Sequence, residues 1–312
     1  MLPNLLAGVT VALALLAAPA PLPAAAQTPP AVASATAPAH PAFSVTVTGK
    51  GRPVLFIPGL NCPGQVWDEV VARYKGSYQC HVVSLAGFAG VAPQQPVPPQ
   101  LLAGVRDQLL AYIKAQRLNR PVVVGHSLGG FLALWLAETD PTAVGALEIV
   151  DSLPFLSAIQ NPAATAESMR PQAEQLRQQV GRGHMPLAQQ RQMVAQMVTD
   201  TARVAQVARW GQASDPATTA QAMYDMYTTD LRPDLGRIQQ PVLVLGSWAA
   251  YKQYGATKAS TQAIFEGQYA TLPHRTLVLS EAGRHFLMYD DPALFFAQTD
   301  AFLRAKPLAA GR

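Results

Sequence analysis

The stretch GHSLGG, residues 125–130, decides how the rest of the chain is interpreted. The apolar, β-branched residues 121–124 precede it and predict a buried strand, and the apolar residues 131–138 follow it and predict a buried helix. A strand, the pattern G-x-S-x-G and a helix together are typical of a nucleophile elbow, a turn so tight that glycine is needed on both sides of the serine. A glycine-rich turn that happens to contain a serine is the alternative, and the flanking elements favour the elbow.

The composition excludes several classes of function. The chain has 312 residues, enough for one large domain or two smaller ones. Only 13% of the residues are charged, and the formal net charge of +4 comes without a run of basic residues. Such a diffuse surplus argues against nucleic acid as a partner. The sequence also contains no zinc-type Cys/His spacing, no phosphate-binding loop and no fixed-period repeat.

The first 42 residues predict export rather than folded structure. Residues 1–26 resemble a signal peptide, although no Lys or Arg precedes their apolar stretch, residues 5–18. That stretch is shorter than the about 20 residues of a membrane span, and no cysteine follows it for a lipid anchor. We therefore expect release to the periplasm or outside the cell, without a stable membrane anchor. The Pro/Ala-rich residues 27–42 predict a disordered linker.

Short apolar strands alternating with helices predict a mostly parallel α/β sheet in the remaining chain, residues 43–312. The predicted strands are 43–49, 53–57, 80–85, 121–124, 145–150, 241–246 and 276–279. Between about 155 and 238 the strand signal disappears, and Gln, Ala, Met and Arg at helical spacing predict a helical insertion, the cap. Ligands of such sheets bind at the carboxyl ends of the strands. The cap methionines are interpreted either as packing or as the lining of an adaptable apolar pocket.

A serine nucleophile needs a base to remove its proton. His285 is the predicted base for Ser127, because it lies in the loop after the last strand, where the sheet would place it beside the elbow. His126 occupies the variable position of the elbow, and its side chain is expected to point away from the substrate. The remaining histidines lie in the linker, in the cap or far from the elbow.

An oxyanion that forms during attack on a carbonyl needs two N–H donors aimed at one point. The backbone N–H of Leu128, directly after Ser127, is the first predicted donor. The second is the backbone N–H of Leu60, in the loop after the strand 53–57, where Gly59 lets the chain turn.

Three motifs resemble the α/β-hydrolase superfamily: PVVVGHSLGG at 121–130, FIPGLN at 56–61 and GRHFLMYDDP at 283–292. The resemblance covers about residues 43–303 and includes the position of the cap. It implies a mostly parallel eight-stranded sheet with helices on both faces. It also implies a nucleophile, an acid and a histidine in that chain order, and neither a metal nor an organic cofactor. A serine nucleophile is typical of the esterase, lipase and thioesterase branches.

The acid departs from the superfamily's usual pattern. Its commonest place is the loop after the strand 241–246, and here residues 247–254, SWAAYKQY, contain no carboxylate. A minority of the superfamily place the acid one strand earlier, where Asp151 stands. Asp151 is therefore the predicted triad acid, although a loop or helix-cap role is its plainer interpretation. The alternatives are Asp225, Asp230, Asp290, or a histidine that works without an acid.

The resulting hypothesis is a serine hydrolase that cleaves a small carboxylic ester, with an apolar acyl or alcohol part, through an acyl-enzyme. An amidase or lactonase would use the same residues, an acyltransferase would pass the acyl group to an alcohol, and a silent binding protein would keep only the pocket. Aromatic residues near the strand ends would suit small aryl or acyl esters, or would be ordinary packing: Phe88, Trp248, Tyr251 and Tyr254. The sequence leaves the oligomeric state open.

Two cysteines in an exported chain raise the question of a disulfide. Cys62 follows one strand and Cys80 begins the next, with a predicted helix between them. That helix of about ten residues spans about 15 Å, whereas a disulfide tolerates a Cα separation of about 7 Å. We therefore predict two free thiols, with Cys62 as a small apolar filler near the catalytic mouth.

Overall fold

The structure is a computed structural model that describes residues 41–159 and 161–305, with the backbone alone for residues 250, 253 and 254. The predicted signal peptide and all but the last two residues of the predicted linker lie outside the described residues. Ala42, the last linker residue, is buried, and its carbonyl accepts a hydrogen bond from the N–H of Ala86. Residue 42 therefore belongs to the folded domain, because its backbone already pairs with the sheet region.

The described strands form one seven-stranded sheet in the order β1-β3-β2-β4-β5-β6-β7. They are β1 (Phe43–Thr48), β2 (Arg52–Ile57), β3 (Tyr78–Leu85), β4 (Val122–His126), β5 (Ala146–Val150), β6 (Val242–Ser247) and β7 (Arg275–Ser280). β1 pairs antiparallel with β3, and all other neighbours are parallel. The eighth strand implied by the resemblance has no counterpart among the described residues. The segment before β1 is rich in proline, which cannot donate a ladder hydrogen bond.

Helices cover both faces of the sheet. They are α1 (Asp68–Tyr74), α2 (Leu101–Ala115), α3 (Leu128–Thr139), α4 (Ala166–Gly181), α5 (Leu187–Val194), α6 (Thr201–Gln212), α7 (Pro216–Thr228), α8 (Lys258–Gln268), α9 (Leu287–Asp290) and α10 (Pro292–Arg304). The strand β2 shows how the sequence builds both layers. Leu55 and Ile57 pack into the core beneath α2 and α3, whereas Val54 and Phe56 pack into the core beneath α1 and α10. Alternate residues of a strand face opposite sides, so a strand covered on both faces is apolar throughout.

The cap, residues 155–238, contains α4–α7 and two short 3₁₀ segments, Leu156–Ile159 and Arg232–Arg237, and no strand of the described sheet. Three of its four helices, α4, α6 and α7, begin at side chains that accept hydrogen bonds from otherwise unpaired N–H groups: Thr165, Asp200 and Asp215. Helix α7 is tied to the sheet domain by Asp225, which accepts a hydrogen bond from the N–H of Leu102 at 2.9 Å. No helix in the described part of the chain is long and apolar enough to cross a bilayer.

Candidate active site

Ser127 stands on the turn between β4 and α3 with the strained backbone angles φ 53° and ψ −119°. Glycine is required around it because there is no room for a side chain. A Cβ on Gly125 would lie 2.2 Å from the carbonyl oxygen of Gly129, and a Cβ on Gly129 would lie 2.1 Å from that of Ile57. The strain and the two close approaches are the geometry of an elbow that presents its serine at the carboxyl edge of the sheet.

His285 and Asp151 are hydrogen-bonded to each other. Nδ1 of His285, in the loop after β7, lies 2.7 Å from Oδ2 of Asp151, which directly follows β5. Asp151 is buried and has a positive φ of 46°, which turns its carboxylate toward the histidine. With Nδ1 engaged by the acid, Nε2 is the ring nitrogen that is free to accept a proton.

The carboxylate of Asp151 has a partner that the sequence reasoning missed. Ser247, the last residue of β6, is fully buried. Its backbone N–H donates to Oδ1 of Asp151 at 2.8 Å, and its hydroxyl donates to Oδ2 at 3.3 Å. Ser247 stands at the start of the loop in which the superfamily most commonly places the acid and which contains no carboxylate here. That loop therefore supplies donors to a carboxylate on the neighbouring strand. The pairing of β5 with β6 is the signal that could have identified it.

The other candidate acids are engaged elsewhere. Asp225 accepts a hydrogen bond from the N–H of Leu102, and Asp230 forms an ion pair with Arg232 at 2.7 Å. Asp290 accepts hydrogen bonds from backbone groups, as described below. Among the described residues, none of the three bonds to a ring nitrogen of His285, whose carboxylate partner is Asp151.

The two predicted oxyanion donors flank the serine. Leu128 is the first residue of α3, and the N–H groups of a first helical turn have no partner within the helix. The loop that carries Leu60 passes directly beside the elbow, since a Cβ on Gly59 would lie 3.3 Å from Cβ of Ser127. The N–H of Leu60 donates to no backbone carbonyl among the described residues, so it is available to an oxyanion. The helix end and the loop thus meet at the nucleophile.

His126 has a role that the sequence did not reveal. Its ring is buried, its Nε2 lies 2.9 Å from the backbone carbonyl oxygen of His285, and the centroids of the two rings are 4.6 Å apart. Burial, aided by the nearby His285, lowers the pKa of His126 well below its usual range, so its ring is neutral and Nε2 donates the hydrogen bond. The buried side chain bonds to the backbone of the loop that carries His285, and its expected orientation away from the substrate stays a prediction.

Both cysteines are free and buried, which confirms the prediction. Burial raises the pKa of Cys62 to about 12 and that of Cys80 to about 11, so neither thiol is ionised near neutral pH. Such thiols are inert packing groups rather than nucleophiles. The described residues contain no cluster of three or more His, Cys, Asp or Glu side chains that could hold a metal ion.

Of the aromatic residues near the strand ends and the cap methionines, some are buried in the core and others are exposed to solvent. Phe88 is buried in the core, whereas Tyr251 is 45% exposed in the loop after β6. The side chain of Tyr254 lies outside what the structure describes. Among the cap methionines, Met226 is buried and Met193 is 46% exposed. Packing therefore accounts for some of these residues and not for others.

Comparison with known proteins identifies relatives along most of the chain. A pimeloyl-(acyl-carrier protein) methyl ester esterase of Aliivibrio salmonicida is 25% identical over 263 residues, which are 82% of this chain and 90% of that protein. The protein of the same name from Nitrosomonas europaea is 27% identical over 244 residues, 74% of this chain and 90% of that protein. An esterase structure from Exiguobacterium antarcticum is similar in fold, with a TM-score of 0.69, 14% identity, and coverage of 84% of this chain and 96% of that one.

The sequence model of the alpha/beta hydrolase family matches residues 54–299. These residues run from β2 into α10 and include the elbow, the cap and the loop of His285. The chain therefore belongs to the alpha/beta hydrolase family.

Proposed function

We propose that the protein is a serine hydrolase that cleaves a carboxylic ester through an acyl-enzyme. The observation that carries this proposal is Ser127 on its glycine-flanked turn together with the 2.7 Å hydrogen bond between His285 and Asp151. A serine on a strained turn and a histidine that is hydrogen-bonded to a buried carboxylate are the parts from which an activated hydroxyl for acyl transfer is built. The similarity to esterases supports an ester as the substrate.

In the proposed reaction, Nε2 of His285 removes the hydroxyl proton of Ser127 as its oxygen attacks the ester carbonyl. The N–H groups of Leu60 and Leu128 stabilise the oxyanion, each contributing about 3 kcal/mol to lowering the barrier. The bond to the alcohol oxygen then breaks, and His285 returns the proton to that oxygen. Water, deprotonated by His285, attacks the acyl-enzyme, the bond from the acyl carbon to the oxygen of Ser127 breaks, and His285 returns the proton to that oxygen as the carboxylic acid leaves.

We further propose that the substrate is a small free ester with an apolar acyl or alcohol part. The curated relatives are named for an ester borne on an acyl-carrier protein. The signal-peptide-like residues 1–26 support export, which would separate this chain from cytoplasmic carriers. Sequencing the amino terminus of the mature protein tests the export proposal. We expect it to begin near Gln27, and retention of Met1 would refute it.

Covalent labelling by a fluorophosphonate tests the catalytic proposal. We expect the probe to label the wild type and not Ser127→Ala, because an activated serine attacks the phosphorus of the probe, displaces fluoride and becomes phosphonylated. Ser157→Ala is the matched control, since Ser157 is a buried cap serine whose hydroxyl donates to the carbonyl of Tyr227. It should keep its labelling. Absence of Ser127-dependent labelling would favour a binding protein. A chain-length series of p-nitrophenyl esters would then define the preferred acyl group.

A further inference from the structure

Three consecutive residues around the proposed base have backbone groups held by hydrogen bonds to other residues, two of which lie far away in the chain. The N–H of Arg284 donates to Oδ2 of Asp290 at 3.1 Å. The carbonyl of His285 accepts from His126 at 2.9 Å, and the N–H of Phe286 donates to the carbonyl of Met197 at 3.2 Å. Met197 belongs to the cap, so the cap supplies one of the three anchors.

Met197 lies in the segment Ala195–Thr199 between α5 and α6, which we call the strap. Further hydrogen bonds join the strap to the loop of His285. The guanidinium of Arg284 donates to the carbonyl of Ala195. The N–H and the hydroxyl of Thr199 donate to Oδ1 of Asp290 at 2.9 and 2.8 Å. Asp290 thus uses one carboxylate oxygen for the strap and the other for the residue before His285.

Apolar packing fixes the strap in this place. Val198, within the strap, is fully buried, and Val194 is buried at the end of α5. Both belong to the same apolar cluster as Phe286 and Leu287, the residues that follow the base. The hydrogen bonds therefore join two segments that apolar burial already holds together.

We propose that the strap, acting through Asp290, positions His285 for catalysis, so that Thr199 and Asp290 are positioning residues of the hydrolase. This inference rests on the proposed function. A base must be held closely in its productive geometry, because a displacement of about 1 Å costs up to about 100-fold in rate. A different cap anchor, Asp225 on α7, bonds to α2 and not to the loop of His285. A movement of the cap at the strap withdraws the base from Asp151, and a movement at α7 alone does not.

The test compares variants of the strap by kcat per active site, with the sites titrated by the fluorophosphonate. Asp290→Asn places an amide nitrogen or a weaker acceptor against one of its N–H partners, and we expect kcat to fall about tenfold with KM unchanged. Thr199→Val removes the hydroxyl donor from an exposed residue without threatening the fold, and should lower kcat about threefold. Thr199→Ser keeps the hydroxyl and should restore kcat.

Asp225→Ala is the control for a weakened cap. It should lower the melting temperature and leave kcat per titrated site within about twofold of the wild type. Hydrogen exchange gives a readout that needs no catalysis: the amides of Arg284 and Phe286 should exchange faster in Asp290→Asn than in the wild type. Unchanged kcat in both Thr199→Val and Asp290→Asn would overturn the proposal, and so would unchanged amide exchange. If the wild type shows no Ser127-dependent labelling, the hydrolase proposal fails instead, and amide exchange alone decides whether the strap holds the loop.

Discussion

Strand β5 carries one carboxyl group in its middle, Glu148, and another directly beyond its end, Asp151. Both are buried, but their surroundings differ. Asp151 faces three donors, two from Ser247 and one from His285. For Glu148 one oxygen lies 2.6 Å from the hydroxyl of Thr299, and the other has no hydrogen-bond partner among the described residues.

The surroundings of Glu148 suit a neutral acid. Burial raises its pKa to about 8, with only a small opposing effect from Thr299. The hydroxyl of Thr299 also lies 2.8 Å from the carbonyl of Phe295. Since that hydroxyl has one hydrogen to donate, a protonated Glu148 can donate to its oxygen while the hydrogen goes to Phe295.

The comparison teaches that burial alone does not make a functional carboxylate. Donors from the neighbouring strand and from the histidine loop stabilise Asp151 as a carboxylate that can orient His285. Glu148 lacks such donors, and burial favours its protonated form. The edge of the sheet provides those donors because strand ends release their backbone N–H groups from the ladder. We expect three substitutions to separate the two carboxyl groups experimentally.

Asp151→Asn should produce the largest effect, a fall in kcat of about 10³–10⁴-fold. An amide cannot hold the histidine in the tautomer that leaves Nε2 as the proton acceptor. Steady-state kinetics on a p-nitrophenyl ester measures the loss, and circular dichroism checks that the fold is retained. Near-normal turnover would remove Asp151 from the proposed triad and erase its distinction from Glu148.

Ser247→Ala should have an intermediate effect. The variant loses the 3.3 Å hydroxyl bond to Asp151 but keeps the 2.8 Å backbone bond. We expect kcat to fall about threefold with KM unchanged, because an O–H···O distance of 3.3 Å is long and a weak hydrogen bond contributes only about 0.5–1 kcal/mol. Ser157→Ala makes the same chemical change at a serine that does not touch Asp151, and it should leave kcat unaltered. Equal kinetics in the two variants would show that the Ser247 hydroxyl does not support the acid.

Glu148→Gln should have the smallest effect on activity and a distinct effect on stability. Because the pKa of Glu148 rises on folding from 4.5 to about 8, the folded wild type holds a proton that the unfolded chain releases. The free energy of unfolding contributed by Glu148 therefore decreases as pH rises through this interval. Glutamine does not titrate. The melting temperature of Glu148→Gln, relative to that of the wild type, should therefore be higher at pH 8 than at pH 5 by about 3 °C or more.

Glu138 also has a pKa raised to about 8 by burial, but it is present in both proteins, so its contribution cancels in the difference. Melting curves of the two proteins across this pH range provide the measurement. Parallel pH profiles would mean that Glu148 is ionised in the folded protein, which would remove the contrast with Asp151. Activity at pH 7 should be the same in both.

Much of the fold could be predicted from local patterns. The apolar runs of β2, β4, β5 and β6 predicted strands within about two residues of their observed bounds, because a parallel strand buried on both faces must be apolar throughout. The glycines around Ser127 predicted the turn, since a side chain at either position would collide with backbone. The two free thiols followed from the length of one helix.

The partners of the proposed base could not be obtained in the same way. Among the acids that the sequence left open, the one bonded to His285 is 134 residues away from it, and Ser247 lies 96 residues from that acid. His126 and the strap are equally remote in sequence. The spacing of apolar residues predicts the type and the burial of a single helix or strand. These contacts depend instead on which strands become neighbours in the sheet.

The sequence by itself determined the sheet, the turn that presents Ser127, and the strand ends near which His285 and the candidate acids stand. The order β4-β5-β6-β7 then decided which of these ends meet. It brought Asp151, Ser247 and His285 together, and the cap strap reached the same loop. The physical reason is that local patterns fix the backbone by short-range sterics and burial, while hydrogen-bond partners that are far apart in the chain are set by which elements pack together.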